Sequence, residues 1–389
     1  MKRSQSAKVS VVGVGHVGSL VGFLLAMRGL AGEIVLCARD GDDDDAKGSQ
    51  RKAEAEALDI KHAIAFTSHR LEVRSGTSGD TADSDIIVMT ASERIAAEPG
   101  ARRTDLGSRN AALMRKLIPR LAELSPNAIF INVTNPVDVI TYFIYKLSGF
   151  DWRRVIGTGT LIDTLRFRRR LSDEMDVFAG DCRTYIIGEH GESSLATLSH
   201  ATVGGMSLGR MVDAMGIRQA MVAEAEEEAR KVGTEIFHSR GYTNYAVAMA
   251  VEMIVDSIVN DRSMTLPVSV FLDDFCDIND VCLSVPCVIS SRGVKQRLEP
   301  ELSEQERALL QRSAGVVRGI IRANQQSKNS PLLAPDPFAK TEVMSHSWSA
   351  GSKNRGFSPE REDTHEPKKI SANANGNGSH SPQQELPCR

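Results

Sequence analysis

Paired cysteines are missing. The six cysteines, Cys37, Cys182, Cys276, Cys282, Cys287 and Cys388, show no CxxC spacing. Cys282 and Cys287 have no His or Cys partner spaced to complete a tetrahedral metal site, so no metal is expected. No secretory leader is expected. Residues 1–8 are short and polar, and the first apolar run falls far below membrane-spanning length. A reducing, cytoplasmic setting is the expectation. Nor is there an excess of charge of one sign. Lys and Arg number 47 against 50 for Asp and Glu, a net charge of -3, which argues against nucleic acid or a membrane surface as the main partner. What is present is an ordinary globular composition, 41% apolar and 25% charged over 389 residues. That is enough for two compact domains, or one large two-lobed unit, with a buried core.

From Lys8 to about Asn324, short apolar runs alternate with amphipathic stretches. Residues 9–12, 34–37, 86–89 and 128–133 are almost wholly apolar and read as buried parallel strands. Residues 19–27 and 110–124 read as helices between them. Strand and helix in alternation predict an α/β doubly wound parallel sheet, and the more mixed pattern after about Asp151 predicts a second, mixed α/β domain. Residues 39–51 contain the acidic run 42–45 and read as an exposed surface insertion. From about Ser327 onward Ser, Asn, Pro, Gly, His and Lys dominate, and residues 326–389 are expected to be a disordered tail.

The first strand runs directly into Gly13-Val14-Gly15-His16-Val17-Gly18. The first glycine permits a tight turn, the second lets backbone approach a pyrophosphate, and the third allows close helix–strand packing. The helix N-terminus then attracts the phosphate charge. Alone the motif is weak, but its place between a strand and a helix makes a Rossmann-type dinucleotide site the expectation. An acidic residue about 20 positions on should hold the adenosine ribose. Here that position is Ala38, followed by Arg39. A small residue followed by Arg admits and pairs with a 2′-phosphate, which opens the site to NADP. If Asp40 turns in instead, preference for NAD returns.

Four further segments place polar residues in apolar contexts: 132–138 (Asn-Val-Thr-Asn-Pro-Val-Asp), 157–166 ending in Asp163 and Arg166, 186–192 around His190, and 99–106 with Arg103. Singly, each has a bland reading: a structural His, a surface ion pair, an Asn-Pro turn. Together, in this order and spacing, they resemble the L-lactate/malate dehydrogenase family, including its L-2-hydroxyisocaproate dehydrogenase branch. The likeness runs from about Lys8 to Ala323. It includes Glu54-Ala55-Glu56-Ala57-Leu58-Asp59 and Leu266-Pro267-Val268-Ser269.

The resemblance implies roles. His190 is the implied acid/base, since imidazole exchanges protons near neutral pH. Asp163 would orient it and stabilise the imidazolium, while Arg166 would grip a substrate carboxylate with two parallel hydrogen bonds. Arg103 would polarise the carbonyl from a closing loop, and Asn135 would help hold the carbonyl oxygen. Thr243, within Arg240-Gly241-Tyr242-Thr243-Asn244-Tyr245-Ala246-Val247, would face the substrate, with Val247 against the nicotinamide. Thr90, Ala91, Asn110, Asn132 and Val133 would complete the cofactor site, for NAD by family. The implied domains are a dinucleotide-binding domain over 7–150 and a substrate domain over 151–325.

The implied substrate is a small 2-hydroxy or 2-oxo acid. The loop from Thr90 to Gly100 is two residues longer than the family's usual form, and Ser92 replaces a usual glycine. Counting back from Arg103 puts Ala97 at the selecting position, which leaves room for an apolar side chain. Counting forward from Thr90 brings Arg94 close, which favours a dicarboxylate. The segment around Thr243 resembles the lactate enzymes, so lactate is favoured over malate. Arg168 and Arg183 fall where some bacterial lactate enzymes bind a sugar bisphosphate, against the simpler reading of a solvated helix face. A homo-oligomer is expected by analogy alone.

Overall fold

A computed structural model describes residues 6–93 and 103–326, with backbone only at 103–106 and 326. Arg94, Ala97 and the tail from Ser327 lie outside the described residues, as does the side chain of Arg103.

The apolar runs become the centre of the sheet. β1 (Lys8–Val12) leads into α1 (His16–Met27), then β2 (Glu33–Cys37), α2 (Asp44–Ala63) and β3 (Glu72–Gly76). β4 (Ile86–Met89), α3 (Arg103–Leu124), β5 (Ile129–Asn132), α4 (Val137–Ser148) and β6 (Val155–Gly157) follow. The six strands run parallel in the order β3-β2-β1-β4-β5-β6. This is the doubly wound order in which strand direction of travel reverses between β1 and β4 and opens a crevice at their carboxyl ends. Phe130, Phe143, Ile86, Ile87 and Met89 fill the core and are fully buried.

The rest of the chain starts with α5 (Leu161–Met175) and five two-residue strands: β7 (Cys182–Arg183), β8 (Ile186–Ile187), β9 (Leu195–Ala196), β10 (Thr202–Val203) and β11 (Met206–Ser207). Then come α6 (Leu208–Ala214), α7 (Ala220–Arg240), α8 (Tyr245–Val259), β12 (Met264–Leu272), β13 (Val281–Ser290), β14 (Gly293–Arg297) and α9 (Glu304–Gln326). β12, β13 and β14 extend the main sheet as an antiparallel meander beyond β6. A smaller hydrophobic cluster joins Phe167 and Leu171 of α5 with Val212 of α6 and Ala225 and Ala229 of α7.

Two features differ from the sequence reading. The acidic run at 42–45 is exposed as expected but leads into α2 instead of a loop: the Asp43 side chain accepts from the Ala46 amide (2.8 Å), and Asp44 and Asp45 occupy the first turn. Their charges complement the amide-rich helix start. The edge strand β3 was not anticipated. It is half exposed, and its Arg74 reaches Glu33 (2.9 Å) and Asp80 (2.7 Å).

At the start of α9, Ser303 and Glu306 form a capping box, each side chain meeting the other's backbone amide. Glu306 also accepts from the Leu198 and Ser199 amides and from the Ser199 and Ser303 hydroxyls. Burial alone would raise its pKa, but these donors hold it at about 2. A depressed carboxylate contributes stability above its unfolded pKa and loses it as pH falls through the folded value. Glu306→Gln should therefore lower stability by about 1–3 kcal/mol at neutral pH. The deficit should shrink as pH falls from about 4 towards 2, and chemical denaturation across that range measures it.

Candidate functional site

The crevice at the carboxyl ends of β1 and β4 is shaped by close backbone approach. Gly13 has φ +106, and a Cβ there would lie 2.5 Å from the Ala91 nitrogen. Only glycine fits. The Thr90 hydroxyl donates to the Gly13 carbonyl (2.6 Å), and Thr134 donates to the Ala91 carbonyl (2.8 Å), so the turns after β1, β4 and β5 are tied together. At Gly15 the reverse holds, since nothing lies within 4 Å of where a side chain would start. Gly15 caps α1 without a side-chain hydrogen bond, and the first turn holds no acidic residue. The leading amides of α1 are thus open to an anion, as a dinucleotide's pyrophosphate requires.

At the end of β2, Ala38 is buried and donates its amide to Gly76. Asp40 accepts from the Ser78 amide (2.9 Å) through one carboxylate oxygen. Arg39 is exposed and pairs loosely with Asp45 at 3.7 Å. The Asn132 amide is committed to the loop after β5: it donates to the Thr134 and Val137 carbonyls and to the Thr141 hydroxyl, and accepts from the Thr134 amide. Its side chain therefore shapes this wall from within. Asn110 of α3 plays a similar part, accepting from the Glu93 amide (2.8 Å) and donating to the Asn135 carbonyl (2.7 Å). It thereby joins Glu93 to Asn135, which is exposed. Val133 is half-buried, while Val247 packs into the main core.

His190 follows β8, and α5 is stitched to that strand. Thr160 and Thr164 donate to the Ile186 carbonyl, and the Ile186 amide donates back to Thr164. Gly188 exchanges both backbone hydrogen bonds with Ser284 of β13. Between these anchors, Asp163 of α5 meets the ring: His190 Nδ1–H donates to Asp163 Oδ2 at 2.6 Å, and Arg166 Nη1 donates to Asp163 Oδ1 at 3.2 Å. Side-chain exposures of 6%, 17% and 21% for Asp163, Arg166 and His190 separate this trio from a surface ion pair. Burial lowers the imidazole pKa, but the charge and hydrogen bond of Asp163 outweigh it and the net shift is upward. For Asp163 burial acts upward, His190 and Arg166 act downward, and the net is a fall. The pair therefore favours imidazolium beside carboxylate. With Nδ1 committed, Nε2 is the nitrogen left to exchange a proton.

Two contributors escaped the sequence reading. Asp138 of α4 is completely enclosed, accepting from the His190 amide (2.8 Å) and from the Ser269 hydroxyl (2.6 Å) of β12. Burial pushes its pKa up to about 6. It pins three distant segments at one carboxyl group and gives Ser269, in the Leu-Pro-Val-Ser run, a function. Asp138→Ala would leave a buried amide and hydroxyl unpaired, and should cost about 2–4 kcal/mol by denaturant unfolding. The other is Gly233 of α7, where a Cβ would lie 2.8 Å from Arg166 Nη1. A glycine inside a helix of good helix formers was the available signal.

Of the remaining basic residues, Arg168 is half-buried. It donates to the Thr184 carbonyl (2.8 Å) and lies over the Tyr185 ring (5.0 Å). It is not a solvated helix face, although Arg183 is exposed. Cys37, Cys182, Cys276, Cys282 and Cys287 are all unpaired and buried. Among the described residues no group of three or more His, Cys, Asp or Glu could hold a metal ion, and no helix is long and apolar enough to cross a membrane.

Comparison with known proteins agrees with this geometry. Residues 7–157 match the family model "lactate/malate dehydrogenase, NAD binding domain", and residues 160–327 match "lactate/malate dehydrogenase, alpha/beta C-terminal domain". L-lactate dehydrogenase of Clostridium perfringens is 36% identical over 323 residues, covering 82% of this chain and 98% of the relative. That of Acetivibrio thermocellus is 37% identical over 317 residues, covering 81% and 96%. The crystal structure of the minor L-lactate dehydrogenase from Enterococcus mundtii superposes with a TM-score of 0.76 at 31% identity, covering 82% of this chain and 98% of that one.

Proposed function

This chain belongs to the lactate/malate dehydrogenase family, and on that premise we propose that it interconverts L-lactate and pyruvate with a nicotinamide cofactor. The observation that carries the reading is the buried chain His190–Asp163–Arg166, with its 2.6 Å and 3.2 Å links. A dinucleotide held through its pyrophosphate at the glycine turn would supply hydride from its reduced nicotinamide to the carbonyl carbon of a 2-oxo acid. His190, charged and braced by Asp163, gives its Nε2 proton to the carbonyl oxygen; the reverse reaction returns both. Arg166 spends one of five donors on Asp163 and keeps the capacity for two parallel bonds to the substrate carboxylate. Thr243 and Asn135 line the substrate, and Arg103 adds a positive charge where the oxygen becomes negative. Assays with pyruvate, oxaloacetate and 2-oxoisocaproate test the assignment. Pyruvate should give the highest kcat/KM, and a clear preference for oxaloacetate would replace lactate with malate.

NAD is the family's cofactor, and the finer reading is tolerance of NADP. Ala38 offers no carboxylate to hold a ribose diol or repel a 2′-phosphate, and one oxygen of Asp40 is engaged by the Ser78 amide. NADPH should therefore support a kcat/KM within about tenfold of NADH. Ala38→Asp should widen the gap at least about tenfold in favour of NADH. An enzyme that already prefers NADH by several orders of magnitude would remove this reading.

The division at about residue 150 into cofactor and substrate domains belongs to the same proposal. So does assembly into a homo-oligomer, supported by the exposed Leu58, Phe237, Tyr245 and Met249 on α2, α7 and α8. The unpaired cysteines suit a reducing compartment such as the cytoplasm.

A further inference from the structure

The glycine turn and the substrate loop touch through side chains that no role above uses. The imidazole of His16, first residue of α1, stacks on Tyr242 with centroids 3.9 Å apart and planes 8° from parallel. The Arg240 guanidinium lies 4.2 Å from the same ring centroid. Two groups that close cannot share one face, so the ring is held between them. Asn244 closes the circuit: its amide donates to the His16 carbonyl (3.3 Å), and its oxygen accepts from Arg240. These contacts join positions 16 and 240–244, one in each family-matched segment. Thr243 stands between two of the participants. Gly241 ends α7 with φ +86, and Asn244 caps α8, so the short loop between the helices has little other freedom.

We propose that His16, Tyr242, Arg240 and Asn244 form a clasp that makes the glycine turn and the 241–244 loop one unit, so that His16 and Tyr242 are positioning residues setting Thr243 against the bound dinucleotide. The inference rests on the dehydrogenase reading. A stacked pair flanked by a cation holds its partners in a fixed mutual orientation. The clasp sits where the reaction requires one, because the cofactor is held by the turn and the substrate by the loop. The side chains involved are exposed or half-buried, so their replacement leaves the core intact.

The test compares His16→Ala, Tyr242→Ala, the double variant and His16→Phe, which keeps a stacking ring. NADH affinity is read by fluorescence without turnover, and pyruvate kinetics separately. Either alanine variant should weaken NADH binding about fivefold and raise the pyruvate KM about tenfold, with kcat changed less than about threefold. The double variant should be no worse than the poorer single one, and His16→Phe should stay near wild type. Hydrogen exchange at residues 241–246 should quicken in both alanine variants. Multiplying effects in the double variant would overturn the clasp. So would unchanged NADH affinity in Tyr242→Ala, or tighter binding in His16→Ala, which would make the stack a lid over the site. A wild-type protein that binds no NADH would instead remove the dehydrogenase reading beneath it.

Discussion

Replacing His190 with Gln should lower kcat for pyruvate reduction by about 10²–10⁴-fold, while NADH affinity stays within about threefold. Glutamine can still offer an N–H to the carbonyl oxygen, but it cannot give up a proton. The loss thus isolates proton transfer from hydrogen bonding. Asp163 keeps Arg166 as a partner in the variant, so its buried charge is not abandoned and the fold should survive. A melting curve close to wild type checks that point. Retention of activity within tenfold would mean that another group, or water, supplies the proton.

The second large effect is expected at Arg166. Arg166→Leu should cut kcat/KM for pyruvate by about 10²–10³-fold, mostly through KM, since a desolvated charged hydrogen-bonding partner is worth about 2–5 kcal/mol. Arg166→Lys should fall between, keeping the charge but losing the planar fork. A second signature accompanies the first. The positive charge of Arg166 pulls the His190 pKa down, so its removal should raise it. Pyruvate reduction needs imidazolium, so the pH at which the residual rate declines should move upward in Arg166→Leu and stay nearer wild type in Arg166→Lys. A downward move would contradict the arrangement in which Arg166 and His190 share Asp163.

The sequence made some of this legible and hid the rest for physical reasons. β1 and β4 could be read because strands buried on both faces are predominantly apolar. β3 could not, because an edge strand bearing Glu72 and Arg74 has no such pattern. The acidic run before α2 looked like an insertion since composition alone does not separate a solvated loop from a charged helix start; the Asp43 cap does. His190, Asp163 and Arg166 were recognised by type and order, yet their 2.6 Å and 3.2 Å links come only from folding. Asp138 lies in the Asn-Pro-Val-Asp segment already singled out, but burial of a carboxylate beneath a histidine leaves no mark on one sequence. The stack of His16 on Tyr242 joins positions far apart in the chain, beyond any local periodicity.

The most direct measurement incubates the protein with pyruvate and NADH deuterated at both C4 positions, then follows the reduced cofactor's absorbance and the isotope content of the product. The account expects the absorbance to fall and L-lactate to accumulate with one deuterium at C2, with both signals nearly absent in His190→Gln. Unchanged absorbance with every 2-oxo acid tried, or a product without deuterium, would show that the buried imidazole, carboxylate and guanidinium do not serve a hydride transfer.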